Sequence, residues 1–287
     1  LFCVGDDWQA IYRFTGSDIR FTTKFSQIFG ATKTTALDYT FRFNNSICDT
    51  ASRFVLENPA QVKKALKTHT TVTKPAVSIL RADNRQKFND SRPDERLVAI
   101  LKRIALIADN GAKVYLMGRF GFNLPGKVQL RQLKSEVPML ILECCTIHSS
   151  KGKEADYVVI LGMEKGKHGF PSQKVTHPLL DALLPRLEEY AYAEERRLFY
   201  VAITRAKKRV YLIADMAVAS EFVIELLDKK YLVELDEFET SLAQQLFQLI
   251  HCVKCKTGSL VEKKSSYGQF FGCNNYPLCN HTENGCS

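Results

Sequence analysis

Residues 93–117, PDERLVAILKRIALIADNGAKVYLM, decide the fold class. Apolar residues recur at 97, 98, 100, 101, 104, 105 and 107, the helical spacing of one buried face. The spacing predicts a helix over 93–108, closed by Asn110-Gly111 as a C-cap signal. A strand, Lys113–Met117, follows at once. Working outward, further short apolar runs read as strands: Leu1–Gly5, Thr35–Leu37, Ala76–Leu80, Leu140–Ile147, Tyr157–Leu161 and Val210–Ile213. Another helical pattern covers 187–203. Strands alternating with helices predict an α/β protein, a parallel sheet covered by helices.

The chain has 287 residues with 45% hydrophobic and 25% charged content, ordinary for a globular protein. That length suits one large domain with a small module. The net charge of +9 suits a polyanionic partner. No run of about 18 apolar residues is present, so no membrane span is expected. The chain opens at Leu1, inside an apolar run, and therefore reads as a fragment. Cys3, Cys144 and Cys145 lie in apolar runs and are expected as reduced core residues. Cysteine usage fits a reducing cytoplasm better than a disulfide framework.

From 234 to 250 the pattern turns polar and then briefly amphipathic, which predicts a linker. From His251 the tail is too short to build a core unaided. Its Cys252-x2-Cys255, seventeen residues, then Cys273-x5-Cys279 fit a closed four-thiolate Zn²⁺ site with a structural role. The intervening segment predicts a β-hairpin with Tyr267, Phe270 and Phe271, and Tyr276 follows it. These rings either fill the tiny core or, with Lys254, Lys256, Lys263 and Lys264, meet nucleic acid. His251, His281 and Cys286 are spare ligands that four cysteines make unnecessary. The stretch CVKCKTGSLVEKKSSYGQFFGCNNYPLC (252–279) resembles the C-terminal zinc ribbon of bacterial type I topoisomerases. It matches at Gly268, Phe270, Gly272, Cys273, Tyr276, Pro277 and Cys279. That resemblance implies single-stranded DNA binding.

The segment VGDDWQAIYRFTGSD (4–18) reads as a strand end, a polar turn and a short aromatic helix. Taken alone, it reads better as an aromatic patch on a core helix. It resembles motif III of superfamily 1 helicases of the UvrD/Rep kind. The resemblance implies Gln9 as a γ-phosphate sensor, with Tyr12 and Phe14 stacking on DNA. Phe14 stands where the family often has Trp, and Thr15 where it often has Arg. LDYTFRFNNS (37–46) resembles motif IV, with Phe41 against adenine and Arg42 on the γ-phosphate. An arginine suits that role through its planar, permanently charged fork. The plain alternative is a surface arginine ahead of a helix capped near Asn44 or Asn45.

CTIHSSKGKEADYVVILG (145–162) resembles motif V. Thr146, His148 and Lys151, with Gly152, would lie at the DNA backbone, and Glu154 would reach the ATP ribose. Lys153 and Ala155 replace apolar residues of the family. His148 alone is more often a satisfied loop histidine than a ligand. YAEERRLFYVAITRAKKRVYL (192–212) resembles motif VI. Arg205 would contact the γ-phosphate, and Glu195 and Arg197 would lie in a helix coupling two domains. The stretch Leu183–Arg197 is most similar to the helicase IV branch of the family.

The resemblance implies RecA-like architecture. Residues 1–32 would be the remnant of a first RecA-like domain and 33–233 a compact second one. The linker would be 234–250 and the ribbon 251–287. It further implies ATP with Mg²⁺ and 3′–5′ movement on single-stranded or partly duplex DNA, in repair or recombination at the bacterial nucleoid. A G-x4-G-K-[ST] phosphate loop is absent from the sequence, so an N-terminal helicase domain is expected to supply it. This chain alone is expected not to hydrolyse ATP. The alternative is a helicase-like nucleic-acid-binding or polymerase-associated scaffold. Retained Gln9, Arg42 and Arg205 favour the motor.

Overall fold

The structure is a computed structural model that describes residues 1–82, 93–228, 230–237, 252–255, 260–265, 268–273 and 275–284. Residues 238–250, His251, Lys256, Tyr267, Cys286 and the side chain of Lys264, all named above, lie outside what it describes.

Six strands form one parallel sheet: β1 Val77–Ala82, β2 Lys113–Gly118, β3 Ile141–Thr146, β4 Ala155–Leu161, β5 Ala206–Asp215 and β6 Glu234–Glu237. Their order across the sheet is β3-β2-β4-β5-β1-β6, and every pairing is parallel. The central strands are nearly continuous apolar runs because both faces are covered. Alternation along each strand then divides the core in two. Tyr115, Met117, Val158, Ile160, Val210 and Leu212 join one cluster; Val114, Leu116, Tyr157, Val159, Tyr211 and Ile213 join the other.

The first cluster is closed by α1 (Asn45–Leu56), α4 (Ala193–Ile203) and α5 (Glu221–Leu226). The second is closed by α2 (Glu95–Ile107) and α3 (Lys127–Glu136). Among the described residues, no helix is long and apolar enough to cross a membrane.

The predicted helix over 93–108 is α2. Asp94 caps it, its side chain accepting from the Arg96 amide. It stops at Ala108, ahead of Asn110-Gly111, and Gly111 takes a left-handed turn (φ +81) into β2. The helix expected over 187–203 begins only at Ala193. Tyr192 is left-handed (φ 56), and Glu188 folds back to bind the Arg197 guanidinium. Nine helical residues would span roughly 13.5 Å, so a continuous helix could not bring those two together.

Three other expectations need correction. Leu1–Gly5 is not a strand: it is exposed and unpaired among the described residues, and Cys3 is exposed with it rather than in a core. An apolar run becomes a strand only where a neighbour accepts its backbone hydrogen bonds. Thr35–Leu37 is also irregular, and pairing starts at Tyr39–Thr40 with Lys67–Thr68. Glu234–Glu237, read as the start of a linker, is the sheet's edge strand. The Glu234 carboxylate there accepts from the Ser78 hydroxyl (3.1 Å) and from Arg209, so polar residues on an exposed edge concealed it.

The C-terminal module is a separate antiparallel sheet of β7 (Leu260–Ser265), β8 (Gly268–Cys273) and β9 (Thr282–Asn284), with β8 in the middle. Its core is little more than Cys252, Leu260, Cys273 and Cys279.

Candidate functional site

Strand pairing builds the first half of the site. Ala155 opens β4 beside Ala206, which opens β5, and the Ala155 amide donates to the Arg205 carbonyl (3.0 Å). Glu154 and Arg205 therefore stand side by side at the N-terminal ends of the two central strands. Arg205 is 1% exposed. Its guanidinium donates to the carbonyls of Val201 (2.9 Å) and Lys153 (3.2 Å), and to Gln9 Oε1 at 3.5 Å. Among the described residues, no carboxylate lies within ion-pair distance of it. Burial, then the neighbouring Arg42 charge, lowers its pKa to about 10, so it stays charged near neutrality.

Arg42 lies just ahead of α1, whose Asn44 caps the helix by accepting from the Ile47 amide (3.1 Å). Its Nε donates to Glu154 at 3.3 Å, and Lys207 approaches the same carboxylate at 2.7 Å. Lys207 above all, and Arg42 with it, holds the Glu154 carboxyl below its usual range. Phe41 is 75% exposed, 5.0 Å from the Tyr39 ring and 5.6 Å from His69. The structure thus gathers Gln9, Arg42, Glu154 and Arg205 into one basic cleft, with an open aromatic face next to Arg42 in sequence.

The second half lies on the loop after β3. The Tyr12 hydroxyl donates to the His148 carbonyl (3.1 Å), and Phe14 meets the His148 ring edge-on at 5.4 Å. Thr146 is tied to Ser149 through their hydroxyls (3.1 Å). Burial first, and then the Arg119 charge, depress His148 to about 4, so its imidazole is neutral at physiological pH. Lys151 joins the two halves: its amine donates to the Gln9 carbonyl (2.9 Å) and lies 4.9 Å over the Tyr12 ring. Burial, with Arg205 nearby, lowers its pKa. One side chain thus touches both the Gln9 main chain and the Tyr12 ring.

What positions Gln9 and Tyr12 is a strap formed by residues 6–15, two 3-10 turns rather than an aromatic helix. Trp8 is fully buried, its indole donating to the Val62 carbonyl (2.9 Å) and its ring edge-on to Tyr200 at 5.3 Å. Asp7 accepts from Gln61 (2.7 Å) and the Val62 amide (2.8 Å). Arg197 donates to the Ala10 carbonyl (2.7 Å), to Gln61 (3.0 Å) and to Glu188 (2.8 Å). Arg13 is held by Asp181 and the Pro185 carbonyl, both at 2.7 Å. Glu195 pairs with Arg119 at 2.8 Å. The helicase motifs do not pick out Trp8, Asp7, Arg119 or Lys207. A lone tryptophan (the chain has one) in a polar turn was the available signal for the strap.

In the terminal module, the sulfurs of Cys252, Cys255, Cys273 and Cys279 lie within 4.8 Å of one another. The Cys252 and Cys279 sulfurs are 3.8 Å apart and those of Cys255 and Cys273 3.6 Å apart. Zn–S bonds of about 2.3 Å in a tetrahedron place sulfurs roughly 3.8 Å apart, so the set fits Zn²⁺. The Asn275 amide donates to Cys273 Sγ (3.4 Å) and its side-chain nitrogen to Cys255 Sγ (3.5 Å), bonds that favour thiolates.

Two family models match the chain: UvrD-like helicase C-terminal domain over residues 126–216, and topoisomerase DNA binding C4 zinc finger over 250–285. DNA helicase IV of Escherichia coli K12 is 39% identical over 223 residues, 78% of this chain and 31% of that protein. A probable DNA helicase of Mycoplasma pneumoniae is 26% identical over 75% of this chain and 38% of its own length. ATP-dependent DNA helicase PcrA of Bacillus subtilis is 32% identical over 44% of this chain and 13% of its own length. The chain thus spans well under half the length of the relatives it matches.

Proposed function

We propose that this chain, a UvrD-like helicase C-terminal domain followed by a topoisomerase-type C4 zinc ribbon, is the part of an ATP-dependent DNA helicase that senses ATP and grips single-stranded DNA. The observation that carries the proposal is Arg205: a buried guanidinium with no carboxylate partner among the described residues, beside a second cation, Arg42, and an amide, Gln9. A buried charge without a counter-charge costs stability. It is explained if an anion is its working partner.

In this reading ATP with Mg²⁺ is held mainly by an N-terminal helicase domain that carries the phosphate loop. From this chain, Arg42, Arg205 and Gln9 meet the γ-phosphate, Glu154 the ribose, and Phe41 the adenine face. Two guanidiniums aimed at the transferring phosphoryl group would stabilise its developing charge. Glu154 must release Arg42 for this, and their 3.3 Å contact at a solvent-exposed pair is weak enough to allow it. Tyr12, Phe14, Thr146, His148 and Lys151 line the DNA side. Lys151 then couples the halves, so phosphate loss at Gln9 shifts the Tyr12 platform. Movement 3′ to 5′, a role in repair or recombination, and work at the bacterial nucleoid in the cytoplasm complete the proposal. Its support is the helicase naming of the relatives and the motif resemblance. This chain alone is inactive as an ATPase in this account.

The experiment is binding of fluorescein-labelled dT12 to the chain at two salt concentrations, with Tyr12→Ala and Lys151→Ala. The expected result is salt-sensitive binding that either substitution weakens about 5- to 100-fold. Binding indifferent to both substitutions refutes this DNA face and leaves only the ribbon.

A further inference from the structure

A cavity of about 390 Å³ lies toward the C-terminal ends of β4 and β5, at the opposite end of these strands from Arg205 and unused by the proposed chemistry. Its walls are the turn after β2, with Phe122 and Asn123, and the loop 162–169, with Lys165, Lys167 and His168. The two walls are closely fitted. A Cβ on Gly162 would sit 2.8 Å from the Asn123 side-chain nitrogen, and one on Gly118 2.8 Å from Asn123 Cβ. Within the loop, a Cβ on Gly169 would fall 1.8 Å from the Glu164 carbonyl oxygen. Small residues therefore set the shape of the cavity.

The cavity also ends a run of rings. Phe14 meets His148 at 5.4 Å, and Arg119 lies near enough for its charge to depress His148. The Arg119 guanidinium lies 4.8 Å over Phe120. Phe120 stacks on Phe122 at 5.1 Å with the planes 12° apart, and Phe122 meets His168 at 5.2 Å. Phe122 is 65% exposed, so a large aromatic face is held open at the mouth. A ring buried for stability alone would turn that face inward.

We infer that Phe122 and His168 form a pocket for a single unstacked nucleotide of single-stranded nucleic acid, extending the Tyr12–Phe14–His148 face. The inference rests on the DNA reading of that face. Chemistry selects the occupant. Bases stack on aromatic faces whatever their sequence. Lys165 and Lys167 sit where the adjoining phosphates would lie. Of the other charges on the lining, Asp94 is matched by Arg96 at 2.5 Å, and Glu164 is the remaining acid, so the lining is net positive. The volume is at the low end of the ~300–1,000 Å³ usual for small-ligand pockets, room for one nucleotide rather than a peptide.

The test uses the full 287-residue chain and dT12 with one abasic site moved along the strand. In the wild type, one position beyond the Tyr12–His148 contacts is expected to lose about 5- to 20-fold in affinity when abasic, the effect of one stacked base. Phe122→Ala with His168→Ala removes that positional penalty and weakens intact dT12 by the same factor. Phe122→Tyr restores both, because a ring face returns. Both residues are exposed, so the variants fold, and unchanged circular dichroism verifies it. If the double variant keeps the penalty and wild-type affinity while Tyr12→Ala loses binding, the pocket inference is overturned and the DNA face stands. If Tyr12→Ala also changes nothing, both fall together.

Discussion

Replacing Arg197 with alanine is predicted to undock the strap that carries Gln9 and Tyr12. Arg197 is 2% exposed, and its guanidinium bonds the Ala10 carbonyl, Gln61 and both oxygens of Glu188. Removing one partner of a buried ion pair costs about 3–5 kcal/mol. Glu188 is 21% exposed on its side chain and can rehydrate, so the lower end, about 3 kcal/mol, applies. With a denaturant slope of about 2–3 kcal/mol per molar urea, the unfolding midpoint should fall by roughly 1–1.5 M. The assay is built in, because Trp8 is the chain's one tryptophan and sits fully buried on the strap. Its emission reads strap release directly. Local undocking would shift Trp8 emission to the red at lower urea than circular dichroism reports loss of the sheet; global destabilisation would move both together. An unchanged midpoint and unchanged Trp8 emission would refute the clasp. Arg197→Lys should recover little, since one ammonium cannot bridge all three partners.

Stripping the ribbon with a strong chelator, or Cys255→Ser, should release one zinc per chain and lose the ribbon's structure while the six-stranded sheet persists; a metal-free but folded ribbon would contradict the four-thiolate site. His148 has a folded pKa near 4 against an ordinary 6.5. The unfolded state therefore binds the extra proton between those values, and stability should fall as pH drops from about 6.5 to 4, by on the order of 1 kcal/mol after solvent screening. His148→Gln should flatten that slope in urea titrations at several pH values; an unaltered slope would assign it to other groups. Gly169→Ala should cost about 1–3 kcal/mol by overpacking against the Glu164 carbonyl, read as a lower melting temperature. A neutral result would mean that the loop 162–169 yields easily.

Legibility followed burial. The central strands and α2 were readable because burial on both faces imposes apolar runs, and one-sided burial imposes the 3.6-residue repeat. The four cysteines were readable because two spaced pairs of thiolates can close a tetrahedral Zn²⁺ site. β6 was not, since an edge strand carrying Glu234 and Glu237 lacks that apolar pressure. The start of α4 was not, because the left-handed Tyr192 and the Glu188–Arg197 tie are set by tertiary contacts. At the site, Gln9, Arg42, Glu154 and Arg205 were named from the resemblance to helicase motifs, and the structure brings them together. Lys207, Arg119 and the Trp8 anchor carry no local pattern of their own. Phe122 and His168 are 46 positions apart, and only the β2 and β4 loop ends unite them.

The most direct measurement of the central claim is DNA-stimulated ATP turnover by a helicase containing this chain, wild type against Arg205→Ala. The account predicts a fall of about 100-fold or more in turnover, with ATP affinity within a few-fold of wild type, because the guanidinium acts on charge that develops in the transition state. Turnover that neither DNA nor the substitution alters would contradict it, and the basic cleft around Arg205 would then have no part in hydrolysis.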